Sequence, residues 1–320
     1  MSKFICCVKL IRYKNLSIIV LSQFVIKFYL INSYLKNTSL TNIDFCIYLF
    51  ALITIVAGGY IINDLYDVDI DKINKPHKII IGKEISRTFA FTLYYMLNIT
   101  GTGCGFYVSY VVNELWFGCI FLFFIFSLYR YSKYYKKRFL IGNIQVAFLT
   151  ALSIISLAIF DIIPLGKTNN YEAKMVFFIV SYYAGFSFIT TLIREIIKDI
   201  EDIKGDQKIG GNTLAISYGI EKTKKIVILL IITTIIGIAY FQFFQYSVLT
   251  TTFTNELRYW GVNIIEVLYT CSIQILLIFL AYDLTRSNKK SDFQFLSVLS
   301  KIIMIFGILS IPLFTFLHLK

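Results

Sequence analysis

The chain has 320 residues, of which 57% are hydrophobic and only 16% are charged, and its formal net charge is +12. Soluble domains carry roughly 25% charged residues, so this composition excludes an ordinary soluble protein and favours one that lies in a membrane. The positive charge does not require a nucleic-acid partner, because basic cytoplasmic loops and attraction to anionic membrane lipid account for it.

Nine apolar runs are candidates to cross a bilayer, which takes about 20 residues. Because a backbone in lipid must pair its amides internally, each run is predicted to be a helix. The fourth run is short, and the first contains Gln23 and Lys27. The loops between runs are short, so we expect a single integral-membrane domain over residues 1–320. In chain order the predicted spans are 15–35, 42–63, 88–111, 115–130, 141–163, 174–196, 223–246, 262–284 and 293–317.

The lysines and arginines predict how these spans are oriented. With nine spans, the N-terminus and every second loop lie on one side, which holds 24 of the chain's 31 Lys and Arg, against five on the other. Cytoplasmic loops carry the excess of basic residues in membrane proteins. We therefore expect the N-terminus and these loops to be cytoplasmic, at the plasma membrane if the source is bacterial or archaeal.

Nine of the chain's 19 acidic residues fall in two short segments on this basic side. The first reads NDLYDVDID from Asn63 to Asp71, and the second reads REIIKDIEDIKGD from Arg194 to Asp206. Carboxylates at a membrane boundary are costly unless they meet cations. The two segments are therefore the main candidates for a functional site.

Both segments repeat polar side chains every four residues, and on a helix such residues share one face. Carboxylate and amide oxygens on a rigid strip suit Mg²⁺, which completes its shell with water and phosphate oxygens. Two facing strips could hold metal ions on either side of a diphosphate. A solvated helix end whose acids pair with nearby lysines is the alternative for either segment alone. The strips consist of Asn63, Asp67 and Asp71 in the first segment and Lys198, Asp202 and Asp206 in the second.

The two segments resemble the signature motifs of the UbiA-type intramembrane prenyltransferases. The pattern N-D-x-x-D-x-x-x-D from Asn63 to Asp71 is similar to the first motif, and D-x-x-x-D from Asp202 to Asp206 is similar to the second. Segments 73–86, 131–143 and 205–219 resemble loops of the family. The resemblance implies an all-α, polytopic membrane fold of nine transmembrane helices around a central cavity. It also implies Mg²⁺-dependent transfer of a prenyl group from a prenyl diphosphate to a lipid-like acceptor.

The resemblance further implies roles for individual residues. Asn63, Asp67, Asp71, Asp202 and Asp206 would bind Mg²⁺ and diphosphate, and the four aspartates together with Lys198 would be the catalytic residues. Asp64 belongs to the first motif but lies off the strip. Cations should neutralise the departing diphosphate, and no obligate protein partner is expected. The candidate residues for binding the diphosphate or an acceptor phosphate are Asn63, Asp64, Lys75, Lys78, Lys136, Lys198, Arg194 and Arg12.

Both acidic segments are most similar to the ether-lipid branch of the family, the geranylgeranylglycerol-phosphate geranylgeranyltransferases. That acceptor carries a phosphate, which would use the surplus of cations near the motifs. Lys78 departs from the arginine usual in that branch, and lysine lacks the bidentate fork of arginine. Prenylation of an aromatic acceptor in quinone or haem synthesis is an alternative. A cation transporter with acidic strips along its path is another, although transporters place such groups nearer the midplane.

Overall fold

The computed structural model describes residues 3–74, 79–136, 138–165, 171–208, 210–244 and 263–318. This part of the chain is almost entirely helical. Helix α2 continues through a π-helical segment, Ile26–Ile31, into Asn32–Tyr34. The helices are α1 (Lys3–Leu10), α2 (Tyr13–Val25), α3 (Asn42–Asn74), α4 (Arg87–Val111), α5 (Gly118–Arg130), α6 (Ile141–Ile162), α7 (Tyr171–Lys208), α8 (Leu214–Tyr218), α9 (Ile220–Phe244), α10 (Ile264–Arg286) and α11 (Lys290–His318).

Among the described residues, eight helical stretches are long and apolar enough to cross a membrane. The predicted span 88–111 forms the 25-residue helix α4, which is not among the eight because its tyrosine, threonine and asparagine side chains lower its mean hydropathy. The predicted count of nine spans is therefore not confirmed. The eight stretches are Tyr13–Tyr34, Asn42–Asp69, Leu115–Tyr135, Ile141–Leu165, Tyr171–Lys208, Ile220–Gln242, Ile264–Arg286 and Lys290–His318.

The two helices that carry the acidic segments, α3 and α7, are longer than a bilayer requires. They contain 33 and 38 residues, which corresponds to about 50 and 57 Å at 1.5 Å per residue. The hydrocarbon core is only about 30 Å thick. The acidic segments are therefore the C-terminal turns of long helices, and α3 packs directly against α7.

Small residues bring α3 and α4 into close contact. A Cβ atom on Gly101 would lie 2.6 Å from Thr54 Oγ1 and 3.0 Å from the Ala51 carbonyl oxygen. A Cβ on Gly58 would lie 2.8 Å from the Asn98 side chain. Small residues at helix interfaces allow backbones to approach closely in membranes, so these glycines set the position of the helix that carries the first acidic segment.

A buried ion pair joins the π-helical segment that follows α2 to α6, at the opposite end of α6 from the acidic segments. Lys27 Nζ lies 2.7 Å from Asp161 Oδ2, and neither side chain is exposed. Lys27 also donates to the Leu40 carbonyl at 2.9 Å, and the Leu40 amide donates to Asp161 Oδ1 at 2.8 Å. Each charge is thus compensated, as burial of an ion pair requires, and Lys27 has a structural role.

Candidate active site

The first acidic strip forms one face of α3. Asn63 Nδ2 donates to Asp67 Oδ2 at 2.7 Å, as the four-residue spacing predicts, and both side chains are buried. The other oxygens of this pair, Asn63 Oδ1 and Asp67 Oδ1, are buried without a hydrogen-bond partner. Leaving a buried acceptor unsatisfied is costly. Two such oxygens on one helix face fit a hard cation, which takes oxygen ligands of this kind.

Lys136 brings a positive charge to this strip from the end of the π-helical segment Tyr131–Tyr135. Its Nζ contacts Asp67 Oδ2. Burial acts to lower the pKa of the Lys136 ammonium, but the Asp67 carboxylate outweighs it, and the pKa lies above the ordinary value. Lys136 is therefore a charged group at the first motif.

Close packing fixes the turn that carries Lys136. A Cβ on Gly142, at the start of α6, would lie 2.7 Å from the Tyr135 carbonyl oxygen and 3.1 Å from Lys136 Cα. The preceding turn is tight, because Leu140 adopts a left-handed conformation with φ 54°. A larger residue at position 142 would have to push the backbone of Lys136 away, so Gly142 positions this cation.

Arg12 reaches the same end of α3 from the junction between α1 and α2. Its Nη2 donates to Asp64 Oδ1 at 2.6 Å, and its guanidinium lies 5.0 Å from the centre of the Tyr60 ring. Arg12 adopts a left-handed conformation with φ 53°, which is uncommon for a residue with a side chain. Asp64, which lies off the strip, thus holds Arg12 at the site.

Glu195 is a site residue that the sequence did not single out. It is buried, and it accepts from Arg194 Nη1 and from Lys198 Nζ, each at 2.7 Å. The spacing of Arg, Glu and Lys within one helical turn was the available signal. Because one carboxylate partners two of the predicted cations, the surplus of positive charge is smaller than the sequence indicated.

Asp199 is a second site residue that the sequence did not assign. It accepts a hydrogen bond at 2.8 Å from Nδ2 of Asn143, which lies on α6 one residue after Gly142. The start of α6 therefore contacts both acidic segments. It packs against Lys136, which pairs with Asp67 of the first segment, and it bonds to Asp199 of the second. No local pattern points to this arrangement, because it depends on how α6 packs against α7.

The other acidic residues predicted for the site lie on α3 and α7. Asp202 Oδ1 is 4.0 Å from Lys290 Nζ. Asp71 and Asp206, one turn beyond Asp67 and Asp202, are half-buried. The predicted cations Lys75 and Lys78 lie outside the described residues.

Tyr131 interacts electrostatically with both motifs. It lies in electrostatic range of Asp67 on α3 and of Glu195 and Asp199 on α7. Lys136 likewise interacts with Asp67 and Asp71 on α3 and with Glu195 on α7. The structure thus brings the two acidic segments together around the turn that follows α5.

The acidic side chains do not form a complete metal site by themselves. Over the ranges that the structure describes, no three His, Cys, Asp or Glu side chains converge on one point. Mg²⁺ commonly binds through one or two carboxylates together with waters and substrate phosphates. The amide and carboxylate oxygens of Asn63 and Asp67 fit this mode, with the rest of the shell supplied by water and a diphosphate.

The sequence matches the UbiA prenyltransferase family over residues 25–302. The digeranylgeranylglyceryl phosphate synthase of Sulfurisphaera tokodaii is 32% identical over 265 residues, which is 81% of this chain and 83% of that protein. The enzyme of the same name from Saccharolobus solfataricus is 40% identical over 184 residues, which is 57% of this chain and 59% of that protein.

Solved structures have the same fold. One of a digeranylgeranylglyceryl phosphate synthase has a TM-score of 0.66 at 24% identity, covering 98% of this chain and 99% of that chain. A UbiA homologue from Archaeoglobus fulgidus bound to DMAPP and Mg²⁺ has a TM-score of 0.56 at 15% identity, covering 95% and 98%. The chain belongs to the UbiA prenyltransferase family and is an integral, multi-pass membrane prenyltransferase.

Proposed function

We propose that the protein transfers a geranylgeranyl group from geranylgeranyl diphosphate to geranylgeranylglycerol phosphate, with Mg²⁺, in ether-lipid synthesis. The observation that carries this proposal is the pair of orphaned oxygens on Asn63 and Asp67, held beside Lys136 in a family whose reaction needs a diphosphate to depart. The acceptor is inferred from the relatives, which are named digeranylgeranylglyceryl phosphate synthases.

The reaction breaks the bond between the first prenyl carbon and the diphosphate oxygen, and both electrons leave with the diphosphate. The acceptor hydroxyl oxygen forms the new ether bond to that carbon, and its proton passes to the departing diphosphate. When bound, Mg²⁺ neutralises charge on the diphosphate and so assists its departure. Asn63, Asp67 and Asp71 from α3, with Asp202 and Asp206 from α7, would hold it.

The cations of the chain act alongside these oxygens. Lys136 and Arg12 lie at the first motif, where their charge stabilises the negative charge that develops on the leaving group. Fixed groups are effective in this role because they need no reorganisation during the reaction. Asp64 keeps the Arg12 guanidinium in place, and Gly142 does the same for Lys136.

We propose that the site faces the cytoplasm and that residues 1–320 act as one domain. The excess of Lys and Arg on the side of both acidic segments supports this orientation. A diphosphate made in the cytosol would then reach the site without crossing the bilayer. Labelling of a cysteine placed at position 83, from either side of sealed vesicles of known orientation, tests this. Labelling only from the side opposite the cytoplasm would contradict the proposed orientation.

The direct test of the function offers labelled geranylgeranyl diphosphate and Mg²⁺ to the purified protein. Geranylgeranylglycerol phosphate and a hydroxybenzoate or naphthoate acceptor are supplied side by side. We expect prenylation of the glycerol phosphate. Efficient prenylation of the aromatic acceptor with none of the glycerol phosphate would overturn the acceptor and leave prenyl transfer in place.

A further inference from the structure

Lys301, on the last helix α11, lies among other cations at the site. Its Nζ donates to Asn15 Oδ1 at 2.8 Å, and the side chain is half-buried. The groups with which its ammonium interacts electrostatically include three cations and one carboxylate, namely Arg194, Lys198, Arg12 and Glu195.

The carboxylate among these neighbours is already shared. Glu195 accepts at 2.7 Å from both Arg194 and Lys198, and Arg12 is paired with Asp64. Lys301 therefore adds a positive charge to a cluster in which both carboxylates, Glu195 and Asp64, already pair with other cations. Charged side chains within membrane helices are costly and usually functional, so this arrangement favours an additional anion.

Arg194 offers a donor to such an anion. Its Nη1 is engaged by Glu195, but its Nε–H group is buried without a hydrogen-bond partner. A buried donor left unsatisfied is costly. Guanidinium groups bind phosphate oxygens through several parallel hydrogen bonds, and an ammonium adds a compact charge. An arginine and a lysine whose charges interact thus have the chemistry of a phosphate subsite.

We propose that Arg194 and Lys301 form a subsite for the phosphate monoester of the lipid acceptor, distinct from the Asn63 and Asp67 oxygens assigned to the donor diphosphate. This inference rests on the proposed function. A phosphate monoester carries a charge of about −1.5 to −2 at neutral pH, which balances the excess around Lys301. Asn15 positions the ammonium through its side-chain oxygen.

The test compares two acceptors, geranylgeranylglycerol phosphate and geranylgeranylglycerol, in the wild type and in Lys301→Gln. We expect Lys301→Gln to raise the KM for the phosphorylated acceptor by about tenfold or more, as loss of one charge-assisted hydrogen bond implies. The KM for the unphosphorylated acceptor and for geranylgeranyl diphosphate should change little. Lys301→Arg, which keeps the charge, should retain most of the preference for the phosphorylated acceptor.

Lys289→Gln is the matched control, because it removes an exposed lysine just before the same helix, and it should behave as the wild type. Lys301→Gln also relieves repulsion among cations, so its melting temperature should equal or exceed that of the wild type. If the purified yield of this variant is poor, melting of the wild type with each acceptor gives the second measurement. There the phosphorylated acceptor should stabilise the protein more.

The outcomes separate the two proposals. No transfer by the wild type to either acceptor would refute the proposed function. Transfer by the wild type with equal kinetics for Lys301→Gln would refute only the subsite. A parallel rise in the KM for geranylgeranyl diphosphate would assign Lys301 to the donor instead and would overturn this inference.

Discussion

Arg12 Nη2 donates to Asp64 Oδ1 at 2.6 Å, although the two residues are 52 positions apart in the sequence. The contact fixes the junction of α1 and α2 to the first motif and explains why an aspartate that lies off the strip belongs there. We expect Asp64→Asn to weaken the hold on Arg12 and to lower kcat, with metal affinity little changed. Steady-state kinetics over a range of Mg²⁺ concentrations check this, and an altered Mg²⁺ requirement would instead make Asp64 a ligand.

Asp67→Asn should reduce kcat by about 100-fold or more, comparable to removal of one electrostatic transition-state contact. It removes the charge that accepts a hydrogen bond from Asn63 Nδ2 and contacts Lys136. Asp69→Asn is the control, because Asp69 lies on the exposed side of the same helix and pairs with Lys72 at 2.7 Å. Rates of monodisperse, purified variants decide the matter. A loss under threefold for Asp67→Asn, or equal losses for both variants, would contradict the role of the strip.

Gly142→Ala should lower activity by up to about 100-fold, because small misplacement of a catalytic group can cost that much. The added Cβ would press against the Tyr135 carbonyl oxygen and shift the Lys136 backbone. Gly237→Ala is the matched control, since a Cβ there meets nothing within 4 Å. Kinetics and melting of both variants are compared. Normal activity of Gly142→Ala would mean that the Lys136 turn can relax without cost.

Both acidic strips could be predicted from the sequence, because residues four apart share a helix face whatever the tertiary fold. The Asn63–Asp67 hydrogen bond follows from that rule alone. The contact of Asp64 with Arg12 could not be predicted in this way. Asp64 was recognised as part of the first motif, but its contact with Arg12 depends on the left-handed backbone conformation at the junction between α1 and α2. Local spacing carries no information about such a contact.

Glu195 and Lys301 mark the same limit. Glu195 lies next to Arg194 and three residues before Lys198, so its pairing could have been predicted from helix geometry. The Lys301–Asn15 hydrogen bond joins residues 286 positions apart, and only the packing of α11 against α2 brings them together. A single lysine in an apolar span is otherwise expected to extend its ammonium to the membrane surface.

Removal of divalent metal should abolish prenyl transfer. The oxygens of Asn63 and Asp67 are arranged for a hard cation, and the diphosphate charge would otherwise lack compensation. The measurement is transfer in excess EDTA, followed by titration with Mg²⁺. Melting of the protein with and without Mg²⁺ gives an independent readout, in which Asp67→Asn should reduce any stabilisation. Full activity in EDTA would contradict the metal role of both strips.

Lys27→Met should destabilise the protein by about 3–5 kcal/mol, the usual effect of leaving one buried charge without its partner. Asp161 would then keep its hydrogen bonds from the backbone amides of Leu40 and Ser39 but lose the cation that neutralises it. The double variant Lys27→Met with Asp161→Leu should recover much of that loss, because it leaves neither charge in the interior. Thermal unfolding in detergent measures both. Near its melting temperature the single variant should lose activity because it unfolds. Well below that temperature its KM for the prenyl diphosphate should match that of the wild type, because the ion pair lies at the far end of α6 from the acidic motifs. A specific rise in that KM, with unchanged stability, would assign Lys27 to the substrate site and contradict its structural role.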